Sequence, residues 1–206
     1  FGDAGDDYIA AYANVDFTLS NGTLQGLGTD QFQGIERAIL VGGPSGNRID
    51  ASAFSGPVTL AVQDGDDTLY GGPAADRLLG HDGDDIIFGD GANDTLEGGD
   101  GDDVLIGGLG DDRIEGSYDN DTLIGDNFCI VNLSPCQTGG NDSLFAGQGE
   151  DVLYGGPGDD WLEPGNDYPH ESDTMYGGKG KDTFIRYAKW NGNAYQMLTG
   201  DIVQDF

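Results

Sequence analysis

"GGDGDDVLIGGLGDDRIEG", residues 98–116, repeats itself after nine positions and sets aspartates beside glycines. Such a stretch alone tends towards disorder, because glycine loses much backbone entropy on folding and like charges repel. The nine-residue unit nevertheless continues on both sides, from Val62 to Ile185. A period of nine fits neither an α-helix nor a heptad repeat. The stretch therefore predicts a repeat architecture of short strands and turns.

Two positions of the repeat keep their chemical character throughout. Position six is aspartate: Asp67, Asp76, Asp85, Asp94, Asp103, Asp112, Asp121, Asp142, Asp151, Asp160, Asp173 and Asp182. Position eight is apolar: Leu69, Leu78, Ile87, Leu96, Leu105, Ile114, Leu123, Leu144, Leu153, Leu162, Met175 and Phe184. Alternation around position eight predicts a short strand with that side chain buried. The glycines of the first four positions predict tight turns.

Stacking of these units creates an electrostatic problem. If two nonapeptides form one coil of a parallel solenoid, alternate repeats stack about 4.8 Å apart and their aspartates form two columns. Each pair of neighbouring carboxylates then costs roughly 1 kcal/mol at the dielectric constant of water and roughly 3 kcal/mol at an effective value of 20. A divalent cation between coils reverses the sign. Carboxylate and carbonyl oxygens favour calcium, whereas zinc prefers His and Cys.

The composition excludes several classes of protein. The 206 residues include 38 Asp and Glu against 8 Lys and Arg, a net charge of -30. Nucleic acid is not expected as a partner, since phosphate binding needs clustered basic residues. The sequence contains no run of 18 apolar residues, so we expect no transmembrane segment. The sequence contains no H-E-x-x-H or G-x-S-x-G motif and only two histidines, so we expect no enzyme.

The segments GGDGDDVLI, GGLGDDRIE, GGPGDDWLE and GGKGKDTFI resemble the nonapeptide of the repeats-in-toxin (RTX), or hemolysin-type, calcium-binding family. The resemblance implies an all-β fold, a right-handed parallel β-roll or β-solenoid with two nonapeptides per coil. It also implies that several Ca²⁺ ions lie between turns, bound by position-six aspartates and by carbonyls of the glycine turns. Some repeats depart from the pattern, as where Ala74 and Asp119 stand in place of the second turn glycine.

The chain divides into three parts. We expect residues 1–61 to form calcium-poor coils that begin with one RTX-like repeat, in which Asp7 is a further ligand. Residues 62–185 form the calcium-binding roll, with insertions at about 126–138 and 164–171. Residues 186–206 form a terminal coil or cap. Cys129 and Cys136 favour a disulfide and an oxidising compartment, although two free thiols remain the alternative.

Positions seven and nine point outward, and one face is largely apolar. Its position-nine residues are Tyr70, Phe88, Ile106, Ile124, Tyr154 and Tyr176. The alternatives are an ordinary solvated sheet and an interaction face, because an apolar patch of this length is unusual on a monomer. We expect a structural module, secreted into the medium or associated with the cell surface, that folds with calcium and self-associates through this face or head to tail. It would belong to a surface layer, adhesin or filament; the alternative is an accessory domain of a larger secreted enzyme or toxin.

Overall fold

The fold consists of β-strands and turns. A computed structural model describes residues 5–126, 139–165 and 173–185, together with the backbone of three later strands, 188–190, 195–197 and 202–204. The described residues contain no helix, and accordingly none that is long and apolar enough to cross a membrane. Cys129 and Cys136, most of both insertions and most of residues 186–206 lie outside the described residues.

The strands follow one another at short intervals along the chain. In chain order they are β1 (Tyr8–Tyr12), β2 (Phe17–Ser20), β3 (Thr23–Gln25), β4 (Thr29–Gln31), β5 (Arg37–Val41), β6 (Arg48–Ala53), β7 (Val58–Ala61), β8 (Thr68–Gly72), β9 (Arg77–Asp82), β10 (Ile86–Gly91), β11 (Thr95–Asp100), β12 (Val104–Leu109), β13 (Arg113–Tyr118), β14 (Thr122–Asp126), β15 (Ser143–Gln148), β16 (Val152–Pro157), β17 (Trp161–Glu163), β18 (Thr174–Lys179), β19 (Thr183–Phe184), β20 (Ala188–Trp190), β21 (Tyr195–Met197) and β22 (Ile202–Gln204).

From β5 to β19, successive strands alternate between two sheets, and within each sheet these strands pair in parallel. Among the described residues, the first sheet has nine strands in the order β1-β5-β7-β9-β11-β13-β15-β17-β19. The second has eleven strands in the order β22-β18-β16-β14-β12-β10-β8-β6-β2-β3-β4, and β20 and β21 form a separate antiparallel pair. Each strand of the repeat region thus pairs with the next strand but one, which makes the fold a parallel β-solenoid, as the repeat predicts.

The register of the sheets follows the sequence period. Ile87 pairs with Leu69 on one side and with Leu105 on the other, so paired residues are 18 positions apart, the length of two nonapeptides. The position-eight residues from Leu69 to Met175 are fully buried, and Phe184 packs against them. A single apolar column from each sheet therefore forms the core between the sheets.

The first coils are held by larger apolar side chains. Phe17, Leu19, Leu40 and Phe54 are at most 1 % exposed. The parallel ladders reach back to β1 and β2, and β3 and β4 extend the second sheet by antiparallel pairing. The solenoid thus continues through the N-terminal third. There the apolar core persists, but the repeated Asp columns beside it do not.

The two insertions leave the stacking intact. The Asp112 N–H donates to Asp142 Oδ1 at 2.8 Å across a gap of 30 residues. The Asp151 N–H donates to Asp173 Oδ1 at 3.0 Å across a gap of 22 residues. Both coils therefore accommodate extra residues without breaking the columns of aspartates.

Candidate metal centre

The position-six aspartates lie in two buried columns, and each aspartate immediately precedes a strand. Those from Asp67 to Asp173 are at most 5 % exposed, and Asp182 is partly buried. Within a column, Oδ1 of each aspartate accepts a hydrogen bond from the backbone N–H one coil earlier. Asp85 Oδ1 accepts from the Asp67 N–H, and Asp103 Oδ1 from the Asp85 N–H, both at 2.8 Å. Each carboxylate therefore joins two coils.

The second carboxylate oxygen, Oδ2, lacks a hydrogen-bond partner among the described residues in most aspartates of the two columns. It has no hydrogen-bond partner among the described residues in Asp67, Asp85, Asp94, Asp103, Asp112, Asp121, Asp142 and Asp160. The glycine at position one makes room for it, since a Cβ added at Gly80 would lie 2.1 Å from Asp85 Oδ2. A buried carboxylate without a counter-charge is costly. The columns are thus short of positive charge at regular intervals.

Burial shifts the ionisation of these carboxyls. It raises the pKa of Asp85 and Asp103 from 3.8 to about 7, and that of Asp94 to about 8. For Asp121 the pKa rises to about 9, because burial outweighs the hydrogen bond from the Asp103 N–H and the carboxylates of Asp151 and Asp103 add to it. A proton or a cation is needed to neutralise these groups at neutral pH.

Asp76 differs from the other members of its column. Its Oδ1 accepts from the Val58 N–H and its Oδ2 from the Gly72 N–H, both at 2.7 Å. This repeat is the one in which Ala74 replaces the second turn glycine. Both Asp76 oxygens thus have backbone donors, which sets this position apart from the regular ligand set.

The columns lose their carboxylates towards the N-terminus. Asn47, which is 5 % exposed, takes the place of aspartate in one column; its N–H donates to Asp67 Oδ1 and its own Oδ1 accepts from the Gly43 N–H at 2.7 Å. In the other column the register runs from Val58 to Ala38 and on to Ile9. Asp7, two residues earlier and only partly buried, therefore lies outside both columns.

A second ladder, exposed and not predicted from the sequence, lies at position five. Here Oδ1 accepts from the N–H one coil later, the direction opposite to that of position six. Asp84 Oδ1 accepts from the Asp102 N–H at 3.0 Å, and Asp102 Oδ1 from the Asn120 N–H at 2.9 Å. On the other side the same bonds join Asn93, Asp111, Asn141, Asp159 and Lys181. The recurrence of Asp or Asn at position five was the signal available in the sequence.

Asp126, at the end of β14, is a further buried carboxylate that was not predicted from the sequence. Asp126 is 5 % exposed, its Oδ1 accepts from the Gly140 N–H at 3.3 Å, and its Oδ2 has no hydrogen-bond partner among the described residues. Burial raises its pKa to about 7, and the carboxylates of Asp160 and Asp112 contribute to the rise. Asp126 occupies position two, where the repeat pattern predicts glycine, so the pattern gave no reason to select it.

The six residues of the expected interaction face stack along the outer side of the eleven-stranded sheet. The rings of Tyr70 and Phe88 are parallel with centroids 4.9 Å apart, and those of Tyr154 and Tyr176 are 4.7 Å apart. Ile124 is 9 % exposed, and the other five are partly exposed. The outer face of the nine-stranded sheet instead carries ion pairs such as Arg113 with Glu115 at 2.8 Å.

The donor set fits calcium. No group of three or more His, Cys, Asp or Glu side chains in the described part of the chain forms a ready-made metal site. Eight of the position-six aspartates offer an Oδ2 without a hydrogen-bond partner among the described residues, and the rest of the coordination has to come from backbone oxygens. Calcium accepts such mixed oxygen ligands in flexible geometry. Each column therefore presents carboxylate oxygens at regular intervals, and each of them supplies only part of the coordination that a calcium ion needs.

A comparison with protein-family models matches the RTX calcium-binding nonapeptide repeat in four copies, over residues 63–96, 97–128, 138–168 and 171–185. The chain belongs to this RTX family. The matches begin one residue after Val62 and end at Ile185, the limits of the repeat in the sequence. A search of curated proteins gives no significant match. The buried Asp columns of this RTX chain thus lie within the matched calcium-binding repeats.

Proposed function

We propose that this chain is a secreted, non-catalytic structural module whose β-roll becomes ordered when it binds Ca²⁺ outside the cell. The observation that carries the proposal is the series of buried Oδ2 atoms without a protein donor. Calcium supplies the missing positive charge between coils. The proposed ligands are the position-six aspartates from Asp67 to Asp182, with Asp76 the weakest because its oxygens already have backbone donors.

The proposal assigns the chain to a compartment with abundant calcium. Extracellular calcium sites commonly have dissociation constants of about 10⁻⁴–10⁻³ M. Ligands that bind the folded state alone stabilise it in proportion to the logarithm of their concentration. The repeat region would then stay unfolded where calcium is scarce and fold after export, since the net charge of -30 on the chain opposes a compact state without cations.

A calcium titration followed by far-UV circular dichroism tests this proposal. In calcium-free buffer the repeat region should lack β-structure, and calcium in the millimolar range should restore it cooperatively. Magnesium at the same concentration is the control, because its strict octahedral geometry suits such sites poorly. A full β-signal in excess chelator at neutral pH would contradict the proposal.

We further propose that the apolar face mediates self-association into a surface layer, adhesin or filament. The face consists of Tyr70, Phe88, Ile106, Ile124, Tyr154 and Tyr176, six outward positions stacked coil upon coil. Support comes from the contrast with the other sheet, where Arg77 lies 3.7 Å from Glu97 and the outer positions carry charge. Contiguous apolar surface of this kind is common at protein interfaces.

A further inference from the structure

The most exposed aromatic side chains lie on the sheet opposite the apolar face. Among the described residues, the exposed Tyr, Phe and Trp side chains are Tyr8, Tyr12, Tyr118 and Trp161. All four belong to strands of the nine-stranded sheet. The rings of the apolar face stack on one another in two pairs, whereas Tyr118 is 51 % exposed and Trp161 is 41 % exposed. These two rings are therefore accessible to a ligand.

Tyr118 borders a groove of about 410 Å³ on the outer side of the nine-stranded sheet. Within the groove, Phe145 pairs in register with Glu115 on one side and with Glu163 on the other. Tyr118 pairs with Gln148 in the same part of the sheet. Ligand pockets commonly have volumes of about 300–1,000 Å³, so the groove is large enough for a small ligand.

Neighbouring side chains hold the charged groups of the groove in place. Arg113 Nη2 donates to Glu115 Oε2 at 2.8 Å, and the guanidinium lies 4.5 Å from the centroid of the Phe145 ring. Trp161 Nε1 donates to Glu163 Oε2 at 3.3 Å. A carboxylate has about four lone-pair sites, so both glutamates can accept further hydrogen bonds. Donors and acceptors beside an aromatic ring are thus already oriented, which lowers the entropy lost on binding.

The turn that carries Tyr118 departs from the repeat. Ser117 has a φ of 101° and Asp119 a φ of 70°, at two positions where the repeat pattern has glycine. One coil earlier the residue in register is Asp100, which has glycine on both sides. Non-glycine residues in the left-handed region are concentrated at ligand-binding and active sites. The strained turn therefore coincides with the exposed tyrosine.

We propose that this groove binds an uncharged glycan, with a sugar ring packed against Tyr118 and its hydroxyls hydrogen-bonded to Arg113 and the two glutamates. Sugar rings combine apolar C–H faces, which pack on aromatic rings, with hydroxyls that both donate and accept. One guanidinium together with two carboxylates matches such a ligand better than a polymer of a single charge. The net charge of -30 on the chain also opposes binding of an acidic polysaccharide.

Trp161 extends the site along the sheet. It lies in register with Ser143 and, through it, with Arg113, two strands away. At about 4.8 Å per strand, this separation is about 10 Å. Tyr118, Phe145 and Trp161 belong to β13, β15 and β17, which are neighbours in the sheet. The ligand is therefore an oligosaccharide or a longer chain that lies across these strands.

Affinity electrophoresis of the full chain in saturating calcium tests the proposal. The uncharged probes are dextran, laminarin, mannan and hydroxyethyl cellulose, and polygalacturonate is the acidic probe. At least one uncharged polysaccharide should retard the chain, and polygalacturonate should not. Tyr118→Ala and Trp161→Ala should each weaken the retardation about tenfold, because each removes an aromatic contact. Circular dichroism verifies that both variants fold.

The matched control is Leu109→Ala. Leu109 is exposed and occupies position three of its repeat, as Tyr118 does, but it lies on the other sheet. Leu109→Ala should be retarded like the unchanged chain. The inference is overturned if no uncharged polysaccharide retards the chain, if polygalacturonate retards it more strongly, or if folded Tyr118→Ala and Leu109→Ala behave alike. A lower mass of Tyr118→Ala in light scattering without glycan would assign the groove to a second copy of the chain and also overturn it.

Discussion

Burial raises the pKa of Asp121 to about 9, and the carboxylates of Asp151 and Asp103 in the same column add to the rise. We expect Asp121→Asn to stabilise the calcium-free fold, since the buried charge is gone. The same change should weaken calcium binding by about ten- to a hundredfold, because charged interactions contribute about 1.5–3 kcal/mol. Calcium titrations by circular dichroism measure both effects.

The control for this variant is Asp102→Asn, one residue away from the buried column. Asp102 is exposed, and its Oδ1 accepts from the Asn120 N–H at 2.9 Å, a bond that asparagine preserves. Asp102→Asn should leave the calcium midpoint nearly unchanged. If both variants shift the midpoint equally, loss of net charge rather than loss of a ligand explains the result.

The sequence predicts residues best where one column repeats without exception. Position eight is buried throughout, and the position-six carboxylates stack as expected. Asp126 was not predicted because burial of a position-two side chain depends on the backbone of its turn, and Asp90 shows that the residue type alone does not set it. The motif predicted that Asp7 lies in an Asp column. The strand register instead places Ile9, two residues later, in that column.

At the level of elements, the N-terminal strands and the repeat strands depend on different forces. Strands β5–β7 pack Leu40, Ile49 and Leu60 into the core, and Asn47 and Val58 replace buried carboxylates. These strands therefore need no cation to offset charge. Hydrogen exchange in calcium-free buffer should show more protection in β5–β7 than in β10–β13, and calcium should remove the difference. Equal exchange in both regions without calcium would contradict a calcium-poor first part.

The turns that carry the Asp columns should also respond to pH. Folding raises the pKa of these carboxyls to between about 6 for Asp112 and about 9 for Asp121, from an unfolded value near 3.9. A raised carboxyl pKa favours the folded state below the unfolded value, and the benefit is lost as pH rises through the folded values. In calcium-free buffer, β-structure should therefore be present near pH 4 and disappear between about pH 6 and 9.

Circular dichroism across this pH range, with and without calcium, provides the measurement. Saturating calcium should keep the roll folded at the upper end of the range, because the ion replaces the proton as counter-charge. Calcium affinity should fall as the pH is lowered, since protons compete for the same carboxylates. A calcium-free signal that is constant from pH 4 to pH 9 would show that the buried carboxyls do not control folding.

For the whole molecule, the decisive property is the difference between its two outer faces. Phe88 and Ile106 are adjacent on the apolar face, and a lysine at either position would place charge in the proposed contact. We expect Phe88→Lys and Ile106→Lys to fold normally with calcium but to remain monomeric at concentrations where the unchanged chain associates. Light scattering in saturating calcium measures the mass, and circular dichroism verifies the fold.

The matched control is Leu79→Lys, a partly exposed residue on the outer side of the nine-stranded sheet, in register with Glu97. It adds the same charge to the other face, where Arg–Glu pairs already tolerate charge. If the apolar face mediates assembly, Leu79→Lys should associate like the unchanged chain. Loss of association in all three variants would attribute the effect to net charge. Unchanged mass in Phe88→Lys and Ile106→Lys would contradict assembly through the apolar face.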